Sequence, residues 1–272
     1  DEIFGGYARY LVAYFEQCIK AAIDGSYGNG NYVVTLESIV PNLGLLREYK
    51  PLMKQFWSEG LFEPMDQRYF RLVDRSNDMQ NEIEWAALDS RKVFENFSTI
   101  FNNPSNVMKE AYFDKMTHFD FKCLLPALLH VEDRMSMAHG LESRVPFLDH
   151  PLVEFAATVP ADIKFKGGNM KHLLKQVFSQ KLPKEILNRR DKMGFPVPLK
   201  EWFDHDLKDY AMDTFSSMAA KNRPYINSQA VLNNFGQEAG FSRKTWGLLS
   251  MELWHQQFHD KAAEWRSYAK AD

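Results

Sequence analysis

The most informative stretch of this 272-residue sequence is Val131–His150, which reads VEDRMSMAHGLESRVPFLDH. Charged residues alternate in it with methionine and leucine. An ionised side chain in apolar surroundings is costly unless it is paired or lines a cleft. The stretch therefore predicts either structural ion pairs, such as Glu142 with Arg144 or Asp133 with Arg134, or the polar wall of a site.

Apolar residues recur at helical spacing through most of the chain. This periodicity predicts helices over residues 7–23, 119–139, 150–158, 169–180, 183–188, 200–220 and 242–266. Few segments alternate with period two, so the predicted fold is mainly α with at most a short strand or two. No stretch rich in Gly, Ser or Pro marks a boundary, which predicts one domain over residues 1–272.

Local patterns add predictions about single residues. The side chain of Asp149 is predicted to cap the helix that follows it. Aromatic residues between positions 45 and 115 are predicted to anchor the core: Trp57, Phe62, Phe70, Trp85, Phe94 and Phe97. One apolar stripe is predicted on the last helix: Trp246, Leu249, Leu253, Trp254 and Phe258.

Composition argues against several classes of protein. The net charge of -3 and the pI near 6.3 give no field that attracts nucleic acid or an anionic membrane. Cys18 and Cys123 are far apart in sequence, so we expect no disulfide framework, no thiolate metal site and a cytoplasmic location. No run approaches the roughly 20 apolar residues of a membrane span. The chain starts at Asp1 without a methionine, which predicts that it begins inside a longer protein.

The segment from residue 164 to residue 200 contains ten lysines and arginines but only two acidic residues, Glu185 and Asp191. One interpretation is a mobile basic loop, Arg189–Phe195, that closes over a phosphate-bearing ligand. The other is a solvated basic surface, which the residues alone favour. Two weaker patterns are a Gly-rich segment at 25–31 without the Lys-Ser/Thr of a phosphate loop, and His255 with His259, which lack a third metal ligand.

These segments, taken together and in order, resemble the synthetase domain of asparagine synthetases and their relatives. The resemblance is carried by Asp1–Tyr7, Val131–Arg134 with Ser136–Ala138, Leu141–His150, Gly168–Leu174, Leu182–Pro183 with Ile186, Arg190–Phe195, Trp246 and Leu253–Trp254. It implies the C-terminal helical portion of an α/β pyrophosphatase-type domain, similar to the adenine nucleotide α-hydrolases. The family places its parallel strands largely before the segment that matches Asp1–Tyr7, which fits the helical pattern of this chain.

The resemblance implies a glutamine-dependent amidotransferase that adenylates a carboxylate such as aspartate with ATP and Mg²⁺, after which ammonia displaces AMP. By position, Asp1 matches the acidic residue that helps to hold Mg²⁺ on the pyrophosphate. Asp133 matches the carboxylate near the attacking nitrogen, and Lys192 matches the lysine that stabilises charge during adenylation. Three further residues are implied to support substrate or cofactor binding: Glu2, Arg134 and Arg190.

The sequence also departs from the family pattern. The Ser-Gly-Gly-x-Asp-Ser loop that grips ATP and the glutaminase domain are not in it, so we expect that residues 1–272 alone neither hydrolyse glutamine nor adenylate a substrate. The expected partners are the N-terminal part of the same protein, the small substrates and a second copy in a homodimer. Two alternatives stay open: a non-catalytic helical interaction module, and a relative that closes a β-lactam ring or amidates a sugar acid.

Overall fold

The computed structural model describes residues 1–23, 50–108, 111–164, 166, 169–189, 197–237 and 243–269. Within these ranges all elements are helical, apart from one β-bridge between Ile83 and Ile226. The prediction of a mainly α fold is confirmed. The chain divides into two compact units: Asp1–Val73 with Val93–Arg190, and Asp74–Lys92 with Asp191–Asp272.

Ten helices belong wholly or mostly to the first unit. They are α1 (Ala8–Ile23), α2 (Lys50–Ser58), α3 (Met65–Val73), α4 (Ser90–Phe101), α5 (Tyr112–Phe119), α6 (Leu125–Met137), α7 (His150–Thr158), α8 (Ala161–Lys164), α9 (His172–Val177) and α10 (Lys184–Leu187). A single π-helical turn, Asp120–Leu124, joins α5 to α6, and a 3₁₀ turn, Pro146–Leu148, precedes α7.

Helix α1 lies at the centre of this unit. Its consecutive residues Leu11, Val12 and Ala13 are all fully buried, which means that the helix is enclosed on every side. Aromatic rings fill the space around it, with Tyr69 stacked on both Tyr10 and Phe101. Such ring pairs contribute packing energy beyond the area that they bury.

One ion pair is buried completely in the first unit. Arg68 of α3 donates from Nε and Nη2 to the two carboxylate oxygens of Glu16 at 2.8 and 2.6 Å. It also donates to the backbone oxygens of Phe56 and Glu59, at 2.6 and 2.7 Å. The pair thus fixes α3 and the end of α2 against α1.

The second unit has a smaller core of its own. Its helices are α11 (Leu199–Asp204), α12 (Lys208–Ser216), α13 (Met218–Lys221), α14 (Ser228–Asn233), α15 (Lys244–His255) and α16 (Ala262–Tyr268). Phe215 and Leu248 are buried at its centre. Arg223 donates from Nε and Nη2 to the buried Glu252 of α15, at 2.9 Å each, and also pairs with Asp260 at 2.6 Å.

Glu82 ties the segment before α4 to the rest of this unit. Its Oε1 accepts hydrogen bonds from Lys244 Nζ at 2.8 Å and Asn234 Nδ2 at 2.9 Å. Burial opposes ionisation of Glu82, but these hydrogen bonds outweigh it and hold the pKa below its ordinary value of 4.5. The ionised form of Glu82 therefore stabilises the folded state.

This pKa shift predicts an acid-sensitive contribution to stability. As the pH falls below 4.5, the unfolded chain binds a proton at residue 82 before the folded chain does, so the stabilisation present above 4.5 is lost. Glu82→Gln is expected to flatten this part of the pH profile, measured by urea unfolding at neutral pH and at a series of acidic values. The exposed neighbour Glu84 supplies the control, because Glu84→Gln should leave the profile unchanged; identical profiles for both variants would contradict the prediction.

Three predicted helices agree with the structure in position. The predicted helices at 7–23, 150–158 and 183–188 correspond to α1, α7 and α10. The longer predicted segments are divided: 119–139 contains the π turn, 200–220 contains α11 to α13, and 242–266 is interrupted by a second π turn, Gln256–Asp260. The segment 169–180 forms only the short α9.

Three residue-level predictions need correction. Phe62 is not a core anchor, because it lies in the turn between α2 and α3 at φ +71° and stays 43% exposed. The stripe on the last helix is wrong in part, since Trp246, Trp254 and Phe258 are exposed while Glu252 is buried with Arg223. Asp149 does occupy the N-cap position of α7, but its side chain makes no capping hydrogen bond.

Candidate functional site

The segment Asp1–Gly6 forms a tight turn, called here the acidic turn, ahead of α1. The amide of Gly6 donates to the backbone oxygen of Asp1 at 2.8 Å, and Gly5 has a φ of +64°, which favours glycine. A Cβ atom on Gly6 would clash with Asp1 Oδ1 and Lys171 Cε. Both glycines are thus needed for the turn to close on the Asp1 carboxylate.

Lys171 holds the acidic turn from outside the segment. Its Nζ lies 2.7 Å from Asp1 Oδ1, and its amide donates to the backbone oxygen of Gly5 at 3.3 Å. Burial lowers the pKa of Lys171, against the opposing attraction of Glu2. Asp1 is therefore oriented by a side chain that the sequence predictions did not single out, although Lys171 lies within one of the segments that carry the resemblance.

A third segment reaches the same turn through an aromatic contact. The rings of Phe4 and Phe147 pack edge to face with centroids 6.5 Å apart. Phe147 belongs to the stretch Leu141–His150, and Lys171 to Gly168–Leu174. Two segments that are distant in sequence thus both contact the acidic turn.

Beneath the turn, polar side chains connect Glu2 to the core. Glu2 is buried and accepts a 2.6 Å hydrogen bond from the Tyr7 hydroxyl, whose pKa is raised first by burial and then by this bond. The guanidinium of Arg9 lies 3.9 Å from the centroid of the Tyr7 ring and donates to Asp120 Oδ2 at 2.6 Å. These contacts fix the position of Glu2.

Asp120 is the centre of this buried network. Its Oδ2 also accepts hydrogen bonds from the hydroxyls of Tyr10 and Tyr69 at 2.6 and 2.7 Å. Burial raises the pKa of both hydroxyls well above the ordinary value. The sequence analysis missed this network, and the available signal was a set of polar groups, Arg9 and Asp120 among them, inside otherwise apolar helical segments.

The stretch Val131–His150 differs from expectation in its burial. The predicted ion pairs are present, with Arg134 Nε 3.6 Å from Asp133 Oδ2 and Arg144 Nη2 3.1 Å from Glu142 Oε1. All four side chains are more than half exposed, so the expectation that these pairs are buried is wrong for the described structure, and the alternative that these residues line the wall of a site stays a prediction. Water solvates them, which removes the cost that the sequence argument assigned to them.

Two of the predicted site residues lie outside the described residues: Arg190 and Lys192. The roles that the resemblance implies for Arg190 and Lys192 therefore stay predictions. Across the described ranges, no three His, Cys, Asp or Glu side chains form a group that could hold a metal, and His255 stacks on His259 with ring centroids 4.6 Å apart. No helix within those ranges has the length and apolar character that crossing a bilayer requires.

Comparison with known proteins places these features in a family. The sequence model of the family described as asparagine synthase matches residues 1–256. The chain belongs to the asparagine synthase family. The match includes the acidic turn, α6 and the segment of Lys171, and it confirms the resemblance found in the sequence.

Individual relatives agree with this assignment. Asparagine synthetase [glutamine-hydrolyzing] 1 of Bacillus subtilis is 32% identical over 172 residues, which is 62% of this chain and 26% of that protein. The asparagine synthetase [glutamine-hydrolyzing] of Gallus gallus is 41% identical over 103 residues, 34% of this chain and 18% of that protein. The chain thus spans about a quarter or less of the length of these curated relatives. No solved structure matches it significantly.

Proposed function

We propose that the chain is the C-terminal part of the synthetase domain of an ATP-dependent, glutamine-dependent amidotransferase. The proposed reaction adenylates a carboxylate, aspartate in the first instance, and amidates it with ammonia to give asparagine, AMP and pyrophosphate. The observation that carries the proposal is the convergence of Lys171 and Phe147 on the acidic turn of Asp1. Motif residues from three distant segments meet there, as expected for parts of one site.

The residues at the acidic turn fit a magnesium ion bound together with phosphates. Mg²⁺ prefers oxygen ligands and is commonly held by one or two carboxylates plus substrate phosphates and water. Asp1 offers a carboxylate at the protein surface, 24% exposed, in an orientation fixed by Lys171. We assign the Mg²⁺ contact to Asp1, and Glu2, which is buried and bonded to Tyr7, supports the turn from below.

The remaining roles follow from the charges that the reaction creates. Attack of a carboxylate on a phosphate brings two anions together, so cations that face the developing charge lower the barrier. When bound, Mg²⁺ supplies part of this charge stabilisation. We assign a further part to Lys192, with Arg190 and Arg134 as supporting contacts to substrate or cofactor. Asp133 is assigned as the acceptor of a proton from the attacking ammonia.

The exposed apolar surface of α6 is consistent with an interface to another part of the same protein. None of the residues Leu125–Met137 is buried, and Val131 and Met135 are both 61% exposed. Large apolar side chains grouped at a surface commonly mark an interface, and the relatives are about four times as long as the matched region or longer. We propose that a preceding part of the synthetase covers this surface. A cytosolic location and a homodimer stay proposals of the same kind.

The proposal predicts the activity of the longer protein. A protein that joins residues 1–272 to the remainder of the synthetase is expected to release pyrophosphate from ATP only with Mg²⁺ and a carboxylate, and to form asparagine from aspartate with glutamine or ammonium. Pyrophosphate release and amide formation measure the two steps separately. Residues 1–272 alone should show neither.

Assays of the longer protein with several carboxylate substrates distinguish the proposed function from its alternatives. Turnover with a sugar acid or a β-lactam precursor but not with aspartate would support the proposed reaction class and show that the acceptor carboxylate is not aspartate. If no carboxylate tested stimulates pyrophosphate release, the proposal is contradicted. The remaining hypothesis would then be a non-catalytic helical interaction module.

A further inference from the structure

The first unit contains a cavity of about 390 Å³ between α5, the π turn, α7 and α8. This volume lies in the range of small-molecule sites. Apolar side chains make up much of the wall, among them Val107, Phe121 and Val153. Glu2 and Ile3 of the acidic turn border it, so the cavity lies next to that turn.

The charged groups that line the cavity balance one another. They are two carboxylates and two ammonium groups: Glu2, Asp114, Lys122 and Lys164. Glu2 is already bonded to Tyr7, and Lys122 is exposed to solvent. The charges that remain to act on a ligand are therefore those of Asp114 and Lys164.

Lys164 is 5% exposed, and its Nζ donates to the backbone oxygen of Ala156 at 3.0 Å. An ammonium group has three N–H donors, so this bond leaves capacity for another acceptor. Asp114 and Lys164 influence each other electrostatically, but neither has an ion-pair partner within 4.0 Å among the described residues. Burial raises the pKa of Asp114 and lowers that of Lys164, so both charged forms lack full compensation.

A positive and a negative group that line one apolar cavity without pairing are complementary to a ligand that carries both charges. We propose that this cavity binds a small zwitterionic amino acid with an apolar side chain, its carboxylate at Lys164 and its ammonium at Asp114. The walls that include Phe121 and Val153 would receive the side chain. A simple anion would pair with Lys164 but place a second negative charge near Asp114. An amine would pair with Asp114 but place a second positive charge near Lys164.

The proposal does not rest on the proposed function, because binding is measured without ATP or turnover. Three probes share one branched carbon chain: L-leucine, 4-methylpentanoate, which lacks the ammonium, and 3-methylbutylamine, which lacks the carboxylate. Calorimetric titration of the chain, and of the longer protein, is expected to show saturable binding of leucine. Each of the other two probes should bind at least about tenfold more weakly, since one charged hydrogen bond is lost.

Charge-removing variants locate the binding. Lys164→Met is expected to weaken leucine binding at least about tenfold, whereas 3-methylbutylamine, which has no carboxylate for Lys164 and is repelled by its charge, should bind as tightly as in the parent chain or more tightly. Asp114→Asn should weaken leucine binding, whereas 4-methylpentanoate, which Asp114 repels, should bind as tightly as in the parent chain or more tightly. Lys166→Met and Glu154→Gln are matched controls at exposed positions outside the cavity lining and should bind leucine as the parent chain does. Circular dichroism checks that every variant is folded.

Several outcomes would overturn the proposal. Equal affinity for the three probes would indicate an apolar cavity without charge recognition. Displacement of leucine by inorganic phosphate with equal affinity would indicate a general anion site at Lys164. Leucine affinity that is unchanged in both cavity variants, or the lack of saturable leucine binding by about 10 mM, would show that the cavity is not an amino-acid site.

Discussion

Lys192→Ala in the longer protein is expected to lower the rate of pyrophosphate release by about 10²–10³-fold, with amide formation falling in parallel. The physical reason is that adenylation, in the proposed reaction, joins two anions, and the ammonium of Lys192 is assigned to the charge that develops between them. A group that acts mainly in the transition state lowers kcat as well as kcat/KM. Steady-state assays with varied ATP and aspartate measure both constants.

Asp133→Asn gives the contrasting result. If Asp133 accepts a proton from ammonia, its loss slows amide formation by about 10²–10⁴-fold. In the proposed reaction adenylation precedes that step, so exchange of labelled pyrophosphate into ATP should continue in Asp133→Asn and be lost in Lys192→Ala. The two variants thus separate the two half-reactions.

Lys184→Ala is the control for charge, because Lys184 is an exposed lysine of α10 in the same basic stretch. It should retain the parent rates. Parent-like pyrophosphate release by Lys192→Ala would remove Lys192 from the chemistry, and would favour the interpretation of residues 164–200 as a solvated basic surface.

A helix could be predicted from the sequence where its burial does not depend on which residues pack against it. Helix α1 is enclosed on all sides, so any regular apolar repeat within it becomes buried, and its predicted range agrees with Ala8–Ile23. Helix α15 shows the opposite case. Its buried face contains Glu252 because Arg223 approaches from another part of the second unit, and a stripe of apolar residues cannot reveal that pairing.

The sequence predicted which segments form the candidate site, but it did not predict which side chains contact one another there. The family motifs identified Asp1 and Glu2, but the side chains that hold them, Lys171 and Tyr7, lie at positions whose role depends on tertiary geometry. Asp120 is a further example, because its three donors come from two helices more than 50 residues away in sequence. Periodicity reports which face of a helix is apolar and carries no information on such polar partners.

Arg68→Met is expected to lower the free energy of unfolding of the first unit by about 3–5 kcal/mol, because it leaves the Glu16 carboxylate buried without its partner. Both side chains of the pair are at most 1% exposed, so water cannot replace the lost hydrogen bonds. The cation also lies over the Phe56 ring at 3.9 Å from its centroid, a contact that methionine would not reproduce electrostatically. Urea unfolding measures the change.

A double variant tests whether the unpaired charge is the cause. Arg68→Met combined with Glu16→Leu removes both ions, so it should be less destabilised than Arg68→Met alone even though it removes more polar contacts. Recovery should be incomplete, since the backbone oxygens of Phe56 and Glu59 lose their donor, at about 1–3 kcal/mol for the buried Phe56 oxygen and less for the partly buried Glu59 oxygen. Arg71→Met is the control, because Arg71 pairs with the 78% exposed Glu59 side chain and should cost about 0–1 kcal/mol. A double variant less stable than Arg68→Met would show that the hydrogen bonds of Arg68, and not the charge left on Glu16, dominate its contribution.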